Sequence, residues 1–165
     1  APTASLHITD RLMQKLKARG IAVHYITLHV GLGTFAPLTE ENRENRTLHK
    51  EYYEIDKKTA KALSAAKKEG RPIIAVGTTT VRTLESASNK DGALEHCAGV
   101  TDLFVQEGYK FKFVDGMITN FHVPKSSLMM LVAAMTGREE LLKIYHEAIA
   151  RKYRFFSFGD AMLIM

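Results

Sequence analysis

Imidazole is the side chain best suited to moving a proton near neutral pH, and this chain carries seven histidines. Spacing decides what they can do together. His24 and His29 lie five positions apart on a stretch that reads as a strand, which points them to opposite faces and disfavours joint ligation of a metal. No H-E-x-x-H, H-x-H or paired Cys/His spacing is present, which disfavours metal catalysis. His29 stands at the end of its strand, just before Gly31-Leu32-Gly33-Thr34-Phe35, where glycines let backbone approach a ligand closely. A second polar group, Asn120, His122 and Lys125, falls within Met117 to Lys125 and reads as a functional loop.

A third candidate carries no acid or base. Ile73 to Val76 is a short apolar run that passes through Gly77 into Thr78-Thr79-Thr80-Val81-Arg82-Thr83-Leu84-Glu85, a strand feeding a helix with an apolar side and a polar face. The first N–H groups of such a helix lack intrahelical partners. They can receive a phosphate or carboxylate, or Thr78 or Thr79 can cap them. Nucleophilic and dinucleotide chemistry find less support. There is no G-x-S-x-G elbow, the single Cys97 has no second cysteine to pair with, and Gly31-Leu32-Gly33 lacks the third glycine of a dinucleotide fingerprint.

The elements that position these residues follow from caps, glycines and periodicity. Thr9 caps a helix whose Leu12, Met13 and Leu16 form an apolar stripe ending at Gly20, and Ile21 to Val30 reads as a strand. Thr39 to Thr47 is a charged loop with a helical turn, and Glu51 to Ile55 a short strand. Asp56 caps a helix with Ala60, Leu63 and Ala66 inward, stopped by Gly70. Leu103 to Val105 is expected to be a strand. So is Tyr109 to Val114, which alternates aromatic and basic residues and should have one buried and one cationic face. Ser126 or Ser127 caps an apolar helix to Met135, Arg138 to Arg151 is another helix, and Ala161 to Ile164 a last strand. Helices alternating with strands predict one α/β domain over residues 1–165 with largely parallel pairing.

The 165 residues suffice for a full core, and 23 Lys and Arg against 18 Asp and Glu give a net charge of +5, which favours an anionic partner. Tyr109-Lys110-Phe111-Lys112 and Arg151 to Phe156 mix cations with aromatic rings, as RNA-contacting surfaces do, although a core face backed by solvated lysines gives the same pattern. No apolar run approaches the roughly 20 residues a membrane helix needs. One cysteine and no secretory signal fit a cytoplasmic setting. With Ala1-Pro2-Thr3-Ala4 in place of an initiator methionine, the chain is expected to be a portion of a longer product.

Six segments, in order, carry a family resemblance. They are Ala1-Pro2-Thr3-Ala4 with Leu6-His7, Thr27 to Phe35, His49 to Tyr53, Ala75 to Thr79 with Val81 to Ser86, Thr119 to His122 with Pro124-Lys125-Ser126, and Tyr153 to Phe156 with Gly159 to Met162. Together they resemble the S-adenosylmethionine:tRNA ribosyltransferase-isomerases of queuosine biosynthesis, matching the C-terminal half of the family pattern. Ser5 stands where glycine is usual, Leu48 for methionine, Val100 for tryptophan and Glu107 for proline. The resemblance implies an α/β-barrel-like domain, here without the family's N-terminal part and its smaller β-barrel domain. It also implies transfer and isomerisation of the ribosyl group of S-adenosylmethionine onto 7-aminomethyl-7-deazaguanine at the tRNA wobble position, with epoxyqueuosine formed and adenine and methionine released. S-adenosylmethionine is then a co-substrate, with no prosthetic group or metal expected, tRNA is the partner, and a monomer is expected at full length.

Carried onto this sequence, the resemblance makes His29 and His122 the leading candidates for the base. It makes His7, Gly31, Gly33, Thr34, His49, Gly77, Thr78, Thr79, Arg82, Asn120, Lys125 and Asp160 candidate substrate contacts. Arg82 or Lys125 would hold the methionyl carboxylate or a tRNA phosphate, and Asp160 would either pair with the substrate ammonium or cap local backbone. Two other readings remain, a non-catalytic RNA- or nucleotide-binding fragment of that enzyme and an unrelated α/β enzyme holding a phosphorylated ligand at the Gly77 turn.

Overall fold

A computed structural model describes residues 3–31, 39–95 and 97–165. After a 3-10 turn at Thr3–His7, helix α1 (Asp10–Ala18) starts where the Thr9 hydroxyl accepts the Leu12 N–H. Its apolar stripe lies on the surface, for no residue of α1 is fully buried. Strand β1 is only Thr27–His29, shorter than Ile21 to Val30, because residues on its N-terminal side find no ladder partner. The charged stretch after it forms α2 (Glu40–Asn45), closed by a reciprocal Thr39/Asn42 capping box, and β2 extends over Thr47–Glu54. Helix α3 (Lys57–Lys68) begins at Asp56, whose carboxylate takes the Thr59 N–H at 2.9 Å. That hydrogen-bonding to Thr59 holds the Asp56 carboxyl below its ordinary range.

Strand β3 (Ile74–Val76) runs into α4 (Thr78–Ala87) as expected. Strand β4 is Ala98–Leu103, so the strand expected at Leu103 to Val105 lies just upstream, where residues 98–101 pair with β2. Then follow β5 (Gly116–Asn120), α5 (Ser127–Thr136) behind a Ser126 cap, α6 (Arg138–Ala150) and β6 (Ala161–Ile164).

These strands make two three-stranded sheets, β1-β2-β4 and β3-β5-β6. The α/β class holds. Parallel pairing is narrower than expected, being confined among the described residues to β3 with β5, while β1–β2, β2–β4 and β5–β6 are antiparallel. The cause is visible in the β5–β6 connection. One crossover helix returns a chain parallel, whereas α5 and α6 are two helices in succession and bring β6 back reversed. Among the described residues no barrel closes.

Helix α4 joins the two sheets, touching β1 and β4 of the first and β3 and β5 of the second. Its polar face is buried rather than solvated, with Arg82, Thr83 and Glu85 enclosed beside Val81 and Leu84. Charges taken out of water need partners, and both have them. Arg82 Nη1 pairs with Glu51 Oε2 of β2 at 2.5 Å and Arg82 Nε donates to the Leu103 carbonyl at 3.2 Å.

Glu85 explains the largest departure from the sequence reading. Tyr109 to Val114 is not a strand but wraps the Glu85 carboxylate, which accepts the N–H groups of Lys112, Phe113 and Val114, each at 2.9 Å, and the Tyr109 hydroxyl at 3.1 Å. Donors that would have joined a ladder point instead at one buried anion, and Phe113 packs fully buried behind it. Burial, with Glu85 alongside, pushes the Tyr109 phenol pKa upward, so it stays a donor.

Glu85→Ala strips four donors of their acceptor at once and is expected to lower stability by roughly 3–5 kcal/mol, with Glu85→Gln intermediate because the amide keeps one oxygen. Urea unfolding followed by circular dichroism measures this. An unchanged midpoint in the alanine variant would exclude Glu85 as the organiser of residues 109–114.

Candidate functional site

In open α/β sheets ligands gather beyond the carboxyl ends of parallel strands. Here those ends are Val76-Gly77 on β3 and Asn120 on β5. The Gly77 N–H continues the ladder to the Ile118 carbonyl at 2.8 Å, and its φ of +94° is a conformation that side-chain-bearing residues rarely adopt. Gly77 itself is the N-cap of α4. Neither Thr78 nor Thr79 caps the helix, contrary to the capping alternative. Thr80 donates to the Val76 carbonyl at 2.8 Å and Thr83 to that of Thr79 at 3.0 Å. Thr78 is buried and Thr79 half-buried at the mouth of the turn. No side chain caps this helix start.

Three further segments converge on this edge. The 3-10 turn brings Ala4 to 3.8 Å from where a Gly77 Cβ would stand, and its His7 Nε2 lies 3.3 Å from Asn120 Nδ2. The loop after α6 brings the Phe156 carbonyl, which accepts a second Asn120 Nδ2 hydrogen bond at 3.1 Å. That loop is tightly wound. Phe156 has φ +69°, a Cβ on Gly159 would collide with the Arg154 carbonyl, and Asp160 grips Arg154 through its N–H at 2.8 Å and guanidinium at 3.0 Å. Arg154 thereby holds the Asp160 carboxyl below its usual range, with His7 adding a smaller electrostatic share. The expected partner of a substrate ammonium is therefore already bound to a guanidinium. Asn120 Oδ1 is buried without any partner.

His122 follows Asn120, its Nε2 2.9 Å from the Thr119 hydroxyl and its backbone N–H donating to Tyr145 Oη at 2.8 Å. Burial lowers its pKa to about 4, so the ring is neutral at pH 7. Lys125 is exposed one residue before the α5 cap, with φ +59°.

The other candidates belong to the first sheet. His29 is exposed on β1, its ring 5.6 Å from that of Tyr52. The Gly31 N–H donates to Glu51 Oε1 at 3.2 Å, and Glu51 in turn holds Arg82, so the guanidinium expected to meet an anion from outside is occupied inside the chain. His49 is exposed on β2. Gly33 and Thr34 lie outside the described residues. A cavity of about 600 Å³ between α6 and β6, lined by Phe121, Lys143, Glu147, Arg151, Tyr153 and Met162 among others, touches none of the expected residues.

The structure thus gathers His7, Gly77, Asn120, His122 and Asp160 around one edge and ties Gly31 to Arg82 through Glu51. Glu51, Arg154 and Phe156 were not anticipated. For Glu51 a signal exists in hindsight, since it and Tyr53 lie two apart in a strand and so share the inward face. No local pattern marks the carbonyl of Phe156.

The His122 environment predicts a pH dependence. Its folded pKa, about 4, is below the ordinary 6.5, so between these values the unfolded chain binds the extra proton and stability falls with acidification. Its contribution is complete above the ordinary value and amounts to about 2 kcal/mol lost between pH 7 and pH 5. Urea midpoints at both pH values, for wild type and His122→Gln, should show a shallower pH dependence in the variant. Equal slopes would rule out the buried neutral ring.

The chain is 52% identical over its whole length to an S-adenosylmethionine:tRNA ribosyltransferase-isomerase of Thermoanaerobacter sp. (strain X514), covering 48% of that protein. It is 54% identical to the protein of the same name from Treponema denticola, again covering 48% of it. A crystal structure of an S-adenosylmethionine tRNA ribosyltransferase from Thermotoga maritima superposes with a TM-score of 0.78 at 42% identity, over 99% of this chain and 51% of that one. The chain therefore spans about half the length of the relatives it matches. A family model described as queuosine biosynthesis protein matches residues 1–164, and on these grounds the chain belongs to that family.

Proposed function

We propose that this chain supplies a substantial part of the reaction site of an S-adenosylmethionine:tRNA ribosyltransferase-isomerase. The reaction is transfer and isomerisation of the ribosyl group of S-adenosylmethionine onto 7-aminomethyl-7-deazaguanine at the tRNA wobble position, giving epoxyqueuosine and releasing adenine and methionine. The observation that carries this reading is identity above one half, along the entire chain, to proteins bearing that name. The clustering of His7, Gly77, Asn120 and His122 at the carboxyl ends of β3 and β5 supports it, since that edge is where α/β proteins receive small ligands.

Within this reading the residues divide the work. The uncapped start of α4 at Gly77, with Thr78 and Thr79, suits the methionyl carboxylate or a tRNA phosphate. Lys125, exposed at the same end of β5, suits the tRNA backbone. A base must remove the acidified proton from the carbon bearing the sulfonium. His29 is exposed at the end of β1 and can present a ring nitrogen to substrate, whereas His122 is half-buried, turned toward Thr119, and a weak base by its low pKa. His29 is thus the stronger candidate for the base, with His122 holding the end of β5 in place.

The experiment incubates this chain, and a longer chain of the relatives' full length, with S-adenosylmethionine and precursor tRNA, and follows adenine release. Release by the longer chain is expected. None from either would sink the transferase reading, and salt-sensitive tRNA binding in its place would favour the binding-fragment alternative. In the active form, His29→Ala is expected to lower kcat by about 100-fold or more. An acid limb of kcat/KM against pH with its midpoint near 4 would move the base to His122.

A further inference from the structure

The ladder between β1 and β2 sets Thr27 against Glu54, Leu28 against Tyr53 and His29 against Tyr52, and its next pair would be Val30 against Glu51. That pair does not form. β1 stops at His29, Val30 is 44% exposed, and the N–H of Gly31 is taken by the Glu51 side chain, through Oε1 at 3.2 Å. A main-chain acceptor would keep residues 30 and 31 in the sheet, whereas a side-chain acceptor lets the chain leave it at a set point. Glu51 also stands where the register of β2 against β4 shifts, between Thr47 and Glu51, and such irregularities re-aim side chains.

The carboxylate is itself anchored. Its side chain is wholly enclosed, Oε2 lies 2.5 Å from Arg82 Nη1, and Arg82 Nε donates to the Leu103 carbonyl at the end of β4. Successive strand residues point to opposite faces, and on the outer face Tyr52 sets its ring 5.6 Å from that of His29. Two consecutive residues of β2 thus hold the end of β1 from both sides, Tyr52 at the imidazole and Glu51 at the N–H two residues beyond it.

We propose that Glu51 is a positioning residue of the reaction site and acts through His29. Its carboxylate, tied to α4 by Arg82, fixes the chain just past the imidazole and thereby the placement of the ring relative to α4, which touches β1. The role needs the charged group and not its shape alone. A carboxylate offers one oxygen to Gly31 and the other to Arg82, whereas a glutamine has one accepting oxygen and an amino group that can only donate. Glu51→Gln therefore gives up one of the two bonds whichever way its amide turns. The part given to His29 rests on the transferase reading, and the hold on the end of β1 does not.

The test has two arms. In this chain, NMR spectra of Glu51→Gln are compared with wild type, and the His29 ring resonances are expected to shift while those of β6 in the second sheet stay in place. Should Glu51→Gln fail to fold, Gly31→Pro takes its place, since it removes the N–H and leaves the buried ion pair whole. Unmoved His29 ring resonances in the folded variant would overturn the proposal. In the longer chain, Glu51→Gln is expected to lower kcat for adenine release by about tenfold or more, with KM for S-adenosylmethionine changed by less than about twofold. Once His29 is replaced by alanine, Glu51→Gln should cause no further loss of kcat, as expected of a residue that acts through another. A kcat within about twofold of wild type, or a loss repeated in full in the His29→Ala background, would overturn the positioning role and leave the transferase reading standing. No adenine release from the longer wild-type chain would sink that reading, and the His29 resonances then decide by themselves whether Glu51 sets the end of β1.

Discussion

Helix α4 is enclosed by both sheets, and an enclosed helix has to satisfy its polar side chains from within the protein. Arg82 and Glu85 sit three apart, so they project from nearby sides of the helix, yet they reach different structures. One holds β2 and the end of β4, and the other gathers the backbone of residues 112–114. Removing either charge alone would strand its partners, while an apolar replacement of the whole Arg82–Glu51 pair could be nearly neutral for stability. What such a replacement would lose is direction. Glu51 also accepts the Gly31 N–H, so the ion pair fixes where the chain leaves β1.

The second sheet is organised by a different constraint. Because α5 and α6 return the chain reversed, β6 runs antiparallel to β5 and the loop before it arrives at the end of β5 where β3 also terminates. Ladder geometry thus delivers the Phe156 carbonyl to Asn120. Asp160 closes the same loop onto Arg154, and the close approach at Gly159 leaves no room for a side chain. The edge of the sheet is in this way crowded with oriented backbone rather than with many charged groups.

Local signals in the sequence match the structure where the interaction itself is local. Thr9, Asp56 and Ser126 cap the helices they precede, and the Gly77 junction is the strand-to-helix turn that its flanking residues imply. Local signals do not match the structure where a residue's state depends on a distant partner. Alternating aromatic and basic residues at 109–114 satisfy the strand pattern, but an anion 27 positions away from Lys112 captures the donors a ladder would need. The polar face of α4 looks solvated because nothing near Arg82 in sequence announces Glu51, 31 residues earlier. The contact between His7 and Asn120 spans 113 positions, so family resemblance could propose both residues without indicating that they touch.

The path from the Gly31 N–H through Glu51 to Arg82 ends on the same rigid helix whose first turn begins at Gly77. Two loops on different sheets therefore share one lever. In thermodynamic terms, two ligands that each displace α4, one through Gly31 and one through Gly77, would be linked, and such linkage is reciprocal: whatever factor one contributes to the other's binding is returned unchanged.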